Sequence, residues 1–284
     1  MSLANSFSRH FLRGTGDFRK KYGKEDSYVI VTGGSDGIGF EICKEMARRG
    51  FNVCCIARDQ NKIDQKMSEI RQKFNVKTRS VIFDFAQYFV ISDYQKLIAD
   101  QVKDIDIAML FLNAGFCQIG SFVDLTFTEI ERQVSVNTLH PIFTAKVLLD
   151  QMLARGQRSA ICITGSGLGA MPVPGVLTYS CTKTFVDFLA RGLNYELRDK
   201  IDCISWQAGE TSTNMLRRPP GGRIVTTQVA VEGMLRDIGK EEMTYGCRKH
   251  AQAMSQLGMM PHSMIRCLMY KAFCRAHKSQ IEAK

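Results

Sequence analysis

The chain has 284 residues, of which 45% are apolar and 23% charged, an ordinary globular balance. This excludes a disordered chain, a collagen-like fibre and a small disulfide-stapled scaffold, and it leaves room for one large domain or two small ones. The formal charge of +10 admits three anionic partners: nucleic acid, an acidic membrane surface, or an anionic ligand.

Residues 1–26 form a polar, basic extension without the apolar core of a secretory signal. A secreted protein is therefore not expected. No stretch approaches the roughly 18 uninterrupted apolar residues of a membrane-spanning helix. The ten cysteines form no C-x-x-C pair and no zinc-spaced cluster with histidine, so no metal site is expected. Several lie inside apolar runs, as Cys54, Cys55, Cys162 and Cys203 do, and read as buried reduced thiols.

From Ser27 onward, short apolar runs recur: SYVIVTGG, NVCCIA, TRSVIFDF, IAMLFLNAG, SAICITG and IDCISWQ. They are apolar at successive positions, as strands buried on both faces are. Helical patterns separate them. Ile38, Ile42, Met46 and Ala47 share a face of a helix stopped by Gly50. Asp59 caps a second helix through Phe74, a third follows Thr126, and a fourth spans about 178–198. The alternation predicts an α/β fold, a single doubly wound Rossmann-type domain with a parallel β-sheet flanked by helices on both faces. The expected domain covers 27–250, with a tail over 251–284. The stretch from about 214 to 246 breaks the alternation with RRPPGGR and a further helical segment. It reads either as a lid over the carboxyl ends of the strands or as an exposed connection.

Gly33, Gly37 and Gly39 stand between the first strand and the first helix. Glycine lets a backbone turn sharply against a pyrophosphate, and the helix start offers free N–H groups. The second strand ends at Arg58, where NAD-binding folds place an acidic residue. A guanidinium there suits a 2′-phosphate, which favours NADP(H) over NAD(H). Asp59 offers the competing reading: it could serve a ribose, or simply cap the next helix.

Tyr179 and Lys183 stand four apart on one helical face. Ser166 follows the strand AICITG, Asn137 lies in the preceding helix, and Asn113-Ala114-Gly115 closes the strand before it. These positions collect at the carboxyl ends of the strands, where α/β sheets build their sites.

This set, TGGSDGIG, NAG, Asn137, Ser166 and YSCTK, resembles the short-chain dehydrogenase/reductase family over nearly the whole chain. KKYGK, the aspartate of TGGSDGIG, MPVPG and TKTFVDFLARGLNYEL are similar to the very-long-chain 3-oxoacyl-CoA reductases and related 17-beta-hydroxysteroid dehydrogenases. The resemblance implies hydride transfer between NADP(H) and a carbonyl or alcohol. It implies Tyr179 as acid–base group, Lys183 as its charge partner and ribose ligand, Ser166 on the substrate oxygen, and Asn137 at a relay water. It implies cofactor contacts from Thr32, Gly33, Ser35, Asp36, Gly37, Ile38 and Gly39, from Asp84 to the adenine, from Asn113, Ala114 and Gly115, and from Thr213 to the carboxamide. The family's usual Pro-Gly after the sixth strand is here Ala208-Gly209, followed by Glu210, and Leu112 replaces an asparagine.

The substrate expected from the resemblance is a long hydrophobic one, a 3-oxoacyl-CoA of fatty acid elongation first and a steroid ketone second. The alternative is a catalytically silent NADP-binding scaffold. Nucleic acid ranks last, because the aromatics avoid the basic clusters. In the tail, Met264, Ile265, Leu268, Met269, Ala272 and Phe273 share a helical face flanked by Arg266, Lys271, Arg275 and Lys278. Such a helix lies on a membrane surface, or packs on the body or on a second copy in a homo-oligomer. The expected location is the cytoplasmic side of the endoplasmic reticulum, peripheral to its membrane.

Overall fold

The computed structural model describes residues 13–282, with side chains through residue 275. Residues 1–12 of the basic extension, and the side chain of Lys278, lie outside this description. The strands are β1 Ser27–Thr32, β2 Asn52–Ala57, β3 Thr78–Ile82, β4 Asp106–Leu112, β5 Ser159–Thr164, β6 Ile201–Trp206 and β7 Met243–Thr244. All seven pair in parallel in the order β3-β2-β1-β4-β5-β6-β7. The chain winds outward from β1 to β3, then crosses back to β4 on the other side of β1. That reversal opens a crevice at the carboxyl ends of β1 and β4.

The helices are α1 Phe18–Tyr22, α2 Gly37–Arg48, α3 Gln60–Phe74, α4 over 91–102, α5 over 127–153, α6 Leu177–Glu196, α7 Thr227–Asp237, α8 Arg248–Gly258 and α9 His262–Glu282. One sheet face packs against α1, α2, α3 and α7, through Phe18, Met46, Met67 and Met234 among others. The other packs against α4, α5 and α6, through Tyr94, Leu148 and Val186. Successive strand residues feed opposite layers: Val29 and Val31 face the first, Tyr28 and Ile30 the second. This is why β1, β2, β4 and β5 are largely apolar at successive positions, while the outer β3, TRSVI, is only partly buried.

Local rules set the helix ends. Asp59 caps α3, its carboxylate accepting from Lys62 N at 3.0 Å. Thr126 and Glu129 form a capping box at the start of α5. Two helices contain π turns, Gln95–Ala99 in α4 and Ser135–Leu139 in α5. The sequence pattern missed α4, α1 and the two-residue β7.

Two expected boundaries change. Only the first half of the 214–246 stretch is a loop, which returns to pair Thr211 with Val225. The rest belongs to the body: Ala230, Val231, Met234 and Leu235 of α7 are fully buried, and β7 extends the sheet. The extension also joins the core from residue 18, since Phe18 and Tyr22 are buried.

The amino ends of the strands are tied by Arg155. Its guanidinium donates to both Asp106 carboxylate oxygens at 2.8 and 2.7 Å, to Ser159 Oγ at 2.9 Å and to Tyr22 O at 2.8 Å. One side chain thus joins α5, β4, β5 and α1. Burial works against the Asp106 charge, but the bonds from Arg155 and Ser27 outweigh it and hold its carboxyl below the ordinary carboxylate range. A depressed carboxyl stabilises the fold above its ordinary value and loses that contribution as pH falls through the depressed one. Arg155→Met strands the carboxylate and should cost about 3–5 kcal/mol in urea denaturation at pH 7. The difference from the native chain should shrink as the pH is lowered below 4; a loss under about 1 kcal/mol at pH 7 would show that the pair is replaceable by water.

Candidate active site

The glycine-rich turn leads from β1 into α2. Gly33 and Gly37 have φ of 66° and 49°, values that side chains with a Cβ avoid. Gly39 is constrained by space: a Cβ there would lie 2.2 Å from Gly33 O. The turn therefore brings bare backbone to the start of a twelve-residue helix, which is the cradle a pyrophosphate needs. Ser35 is buried, and Ile38 packs into the first core layer.

Asp36 caps α2, accepting from Gly37 N at 2.7 Å. Its other oxygen accepts from Lys62 Nζ at 2.6 Å and from Asn214 Nδ2 at 2.8 Å. Burial opposes its charge, yet these bonds keep its carboxyl below the usual range. The aspartate thus joins α2, α3 and the loop after β6. Thr213 completes the contact, its methyl lying 3.2 Å from where a Gly37 Cβ would stand. Asp36, Gly37, Thr213, Asn214, Arg217 and Arg218 line a shallow cleft of about 420 Å³.

Arg58 is exposed at the end of β2, with no hydrogen-bond or ion-pair partner among the described residues. Asp59 beside it is committed to capping α3. Asp84 follows β3 and accepts from Ala86 N at 3.0 Å.

Thr32 is the last residue of β1. It is fully buried, so its hydroxyl serves the fold. That oxygen accepts from Asn113 N at 2.9 Å and Ala114 N at 3.1 Å, and meets His140 Nε2 at 2.8 Å. His140 Nδ1 stands 3.0 Å from Val136 O, which can only accept. Nδ1 therefore carries the proton, and Thr32 donates to Nε2, the nearer acceptor, with Phe111 O at 3.3 Å as its other one. Burial pushes the imidazole down to about 3, so it is neutral near pH 7. His140 was not singled out in the sequence; its nearness to Asn137 in NTLH was the available signal.

The π turn in α5 places Asn137. The N–H of His140 bonds Ser135 O, five residues back, which turns the intervening side chains toward the loop after β4. Asn137 Oδ1 accepts from Phe116 N at 2.9 Å, and Nδ2 donates to Phe116 O at 2.8 Å and Thr182 Oγ1 at 3.1 Å. Gly115 brings the two sides together: a Cβ there would lie 3.6 Å from Lys183 Nζ and 3.7 Å from Asn137 Oδ1.

Lys183 is 4% exposed and donates to Thr164 O at 2.8 Å. Its nitrogen stands 5.6 Å from the Tyr179 ring centre. Burial lowers the ammonium to about 8, with Cys117 working the other way. Desolvation raises the Tyr179 phenol above its ordinary value; Cys117 adds to this and a hydrogen bond with Ser166 opposes it. Tyr179 is thus a protonated phenol beside the Ser166 hydroxyl. A simple lowering by Lys183, the effect the family roles suggest, is not the main influence on the phenol.

Ser166 Oγ accepts from Leu168 N at 3.2 Å, and Ser166 N donates to Gln207 Oε1 at 3.1 Å. Gln207 is itself held by donating to Asp187 Oδ1 at 2.9 Å and Ser205 Oγ at 2.7 Å. It fixes the height of the serine turn over β5, and only its polar character after an apolar strand hinted at this. Cys117, half-buried and with its thiol raised to about 12 by desolvation, is a second neighbour of Tyr179 that the sequence did not suggest. Among the described residues, no group of side chains is arranged to hold a metal ion.

The geometry thus separates a phosphate-ready turn, a free arginine beyond β2, and a tyrosine–serine–lysine–asparagine group at the ends of β4, β5 and α6. The family model for short chain dehydrogenases matches residues 27–223. The very-long-chain 3-oxoacyl-CoA reductase of Macaca fascicularis is 32% identical over 230 residues, 78% of this chain and 72% of that protein. The human one is 30% identical, over 82% of this chain and 75% of that protein. Among solved structures, a 7beta-hydroxysteroid dehydrogenase superposes with a TM-score of 0.77 at 20% identity, over 92% of this chain and 99% of that one. A Sphingobium yanoikuyae short-chain dehydrogenase in complex with NADPH superposes with a TM-score of 0.69 at 25% identity, over 83% and 97%. With a matched model across most of its length and relatives of this kind, the chain belongs to the short-chain dehydrogenase/reductase family of oxidoreductases, in the branch of the very-long-chain 3-oxoacyl-CoA reductases.

Proposed function

We propose that the protein is an NADPH-dependent reductase of a carbonyl on a long hydrophobic substrate, a 3-oxoacyl-CoA first and a steroid or other lipid ketone second. The observation that carries this reading is the protonated Tyr179 phenol beside Ser166, with Lys183 and Asn137 behind it, facing the crevice that the glycine turn borders. The names of the reductase relatives favour the acyl-CoA.

The bound nicotinamide would supply a hydride to the carbonyl carbon. As negative charge grows on the carbonyl oxygen, Tyr179 gives up its phenolic proton to it. The Ser166 hydroxyl donates a hydrogen bond to the same oxygen and fixes its place. The phenolate left behind is stabilised by the Lys183 ammonium, which Thr164 O holds in place. Asn137 has its side-chain N–H groups committed, so a relay water would take its remaining Oδ1 lone pair or its backbone carbonyl.

Arg58 supports the choice of NADPH, since its guanidinium is free to meet a 2′-phosphate while Asp59 is occupied. Asp84, Asn113, Ala114 and Thr213 are assigned to the adenosine and carboxamide sides on the same reading. The inward face of α9 bears on location: Ile265 is buried, Met269 and Phe273 are half-buried, and Phe273 lies against Gly175. Met264 and Leu268 remain about half exposed beside Arg266, Lys271 and Arg275. The tail thus packs on the body and still offers apolar and basic groups to a membrane surface, the peripheral attachment we propose. No helix among the described residues is long and apolar enough to cross a membrane. A stripe of exposed Leu177, Cys181, Phe185, Phe188 and Tyr195 on α6 supports a homo-oligomer.

Oxidation of NADPH against a panel of 3-oxoacyl-CoA thioesters and steroid ketones tests the assignment. Tyr179→Phe should lower kcat at least about 1,000-fold while NADPH still binds; turnover within tenfold of the native enzyme would remove the acid role. Lys183 is charged below about 8 and neutral above it, so reduction should be level at lower pH and fall as pH rises through that value. A profile level to pH 10 would contradict this. Arg58→Ala should weaken NADPH roughly tenfold to a hundredfold and leave NADH unchanged; an unchanged ratio would take the 2′-phosphate away from Arg58.

A further inference from the structure

The loop that leaves β6 is built differently from the family's usual form. Where Pro-Gly is common, this chain has Ala208 and Gly209. Proline would fix φ and remove the N–H. Here Ala208 N donates to Trp206 O at 3.0 Å, and the backbone has lost a built-in restraint.

His250 of α8 supplies a restraint from outside the loop. It is 2% exposed. Its Nδ1 accepts from Gly209 N at 3.2 Å, and its Nε2 stands 3.1 Å from Glu210 O. A carbonyl only accepts, so Nε2 carries a proton, and the ring bridges two successive peptide units. Burial works against the imidazolium, but Cys247, a further hydrogen-bond partner, and the backbone contacts outweigh it and raise the imidazole above its ordinary value. The ring also fills the space beside Gly209: a Cβ there would lie 2.5 Å from Cδ2. Beyond the bridge, Val225 N donates to Glu210 O at 3.1 Å and Ser212 N to Val225 O at 2.9 Å. Two residues later Asn214 reaches Asp36. The segment 209–214 is therefore pinned by α8 at one end and by the glycine turn at the other, with Thr213 between.

We infer that His250 is a positioning residue for the cofactor: it holds the exit of β6 so that Thr213 is presented to the nicotinamide carboxamide. This rests on the reading of the site as an NADPH site. α8 also reaches the serine turn, since a Gly167 Cβ would lie 2.6 Å from Met254 Sδ. The helix thus references the cofactor loop to the turn that carries Ser166.

Fluorescence titration of NADPH, with steady-state kinetics and urea denaturation on the same samples, tests the role. His250→Phe keeps a ring and removes both bonds, while Gly209→Ala pushes a methyl into the ring. Leu235→Ala, in the buried face of α7, is the control for lost stability alone. His250→Phe and Gly209→Ala should each weaken NADPH about tenfold and raise its KM alike, with the KM of the carbonyl substrate within twofold. Leu235→Ala should lower stability and leave NADPH affinity within twofold. The inference fails if either His250→Phe or Gly209→Ala, folded, binds NADPH as the native chain does, or if Leu235→Ala weakens it equally. Failure of the native chain itself to bind NADPH would overturn the proposed function instead.

Discussion

The Thr32 hydroxyl is the contact on which the site is built. One oxygen, fully buried at the end of β1, accepts two backbone N–H groups from the loop after β4 and donates to the neutral His140 of α5. The strand order reverses between β1 and β4, and a crevice between diverging loops needs something to fix its floor. A hydroxyl can do so because it both donates and accepts. A charged imidazole would have no lone pair for it, so the burial that keeps His140 neutral belongs to the same device. Asn137 lies within the π turn that His140 closes, three residues before it.

The crevice then separates two kinds of work. On the β1 side the turn offers backbone and the positive end of a helix. On the β5 side, burial tunes side chains: it raises the Tyr179 phenol and lowers the Lys183 ammonium. Both shifts follow from removing water, which disfavours the charged form of each group. Gln207 and Thr164 O stand behind this group as supports, the first under the Ser166 turn and the second on Lys183.

Much of this was legible in the sequence, for physical reasons. Parallel strands buried on both faces are apolar runs, so β1 to β6 could be read directly. Tyr179 and Lys183 share a helix face at any spacing of four, and Asp59 capped the helix it precedes. Other features had no local signal. Gln207 and His140 act through partners 41 and 108 residues away. The π turns depend on the fit of α4 and α5 to the sheet. Thr32 was read as a cofactor contact; that its hydroxyl also ties β1 to the loop after β4 had no local signal. The helix α7 was grouped with the preceding proline-glycine loop, although its Val231, Met234 and Leu235 mark a core face. The apolar stripe of α9 was visible, but a stripe does not say what covers it; Ile265, Met269 and Phe273 turn inward, while Met264 and Leu268 do not.

The Arg155 network lies at the opposite edge of the sheet from every residue assigned to chemistry. It fastens α1, α5, β4 and β5 by their amino ends, while the reactive groups gather at the carboxyl ends. Mutational drift in the two regions is therefore decoupled. Among the described residues, loops over the crevice share no contact with the Arg155 bonds, so a change in them leaves that fastening in place. Substitutions at the two ends of the sheet, far apart and without shared partners, should therefore add in their effect on stability.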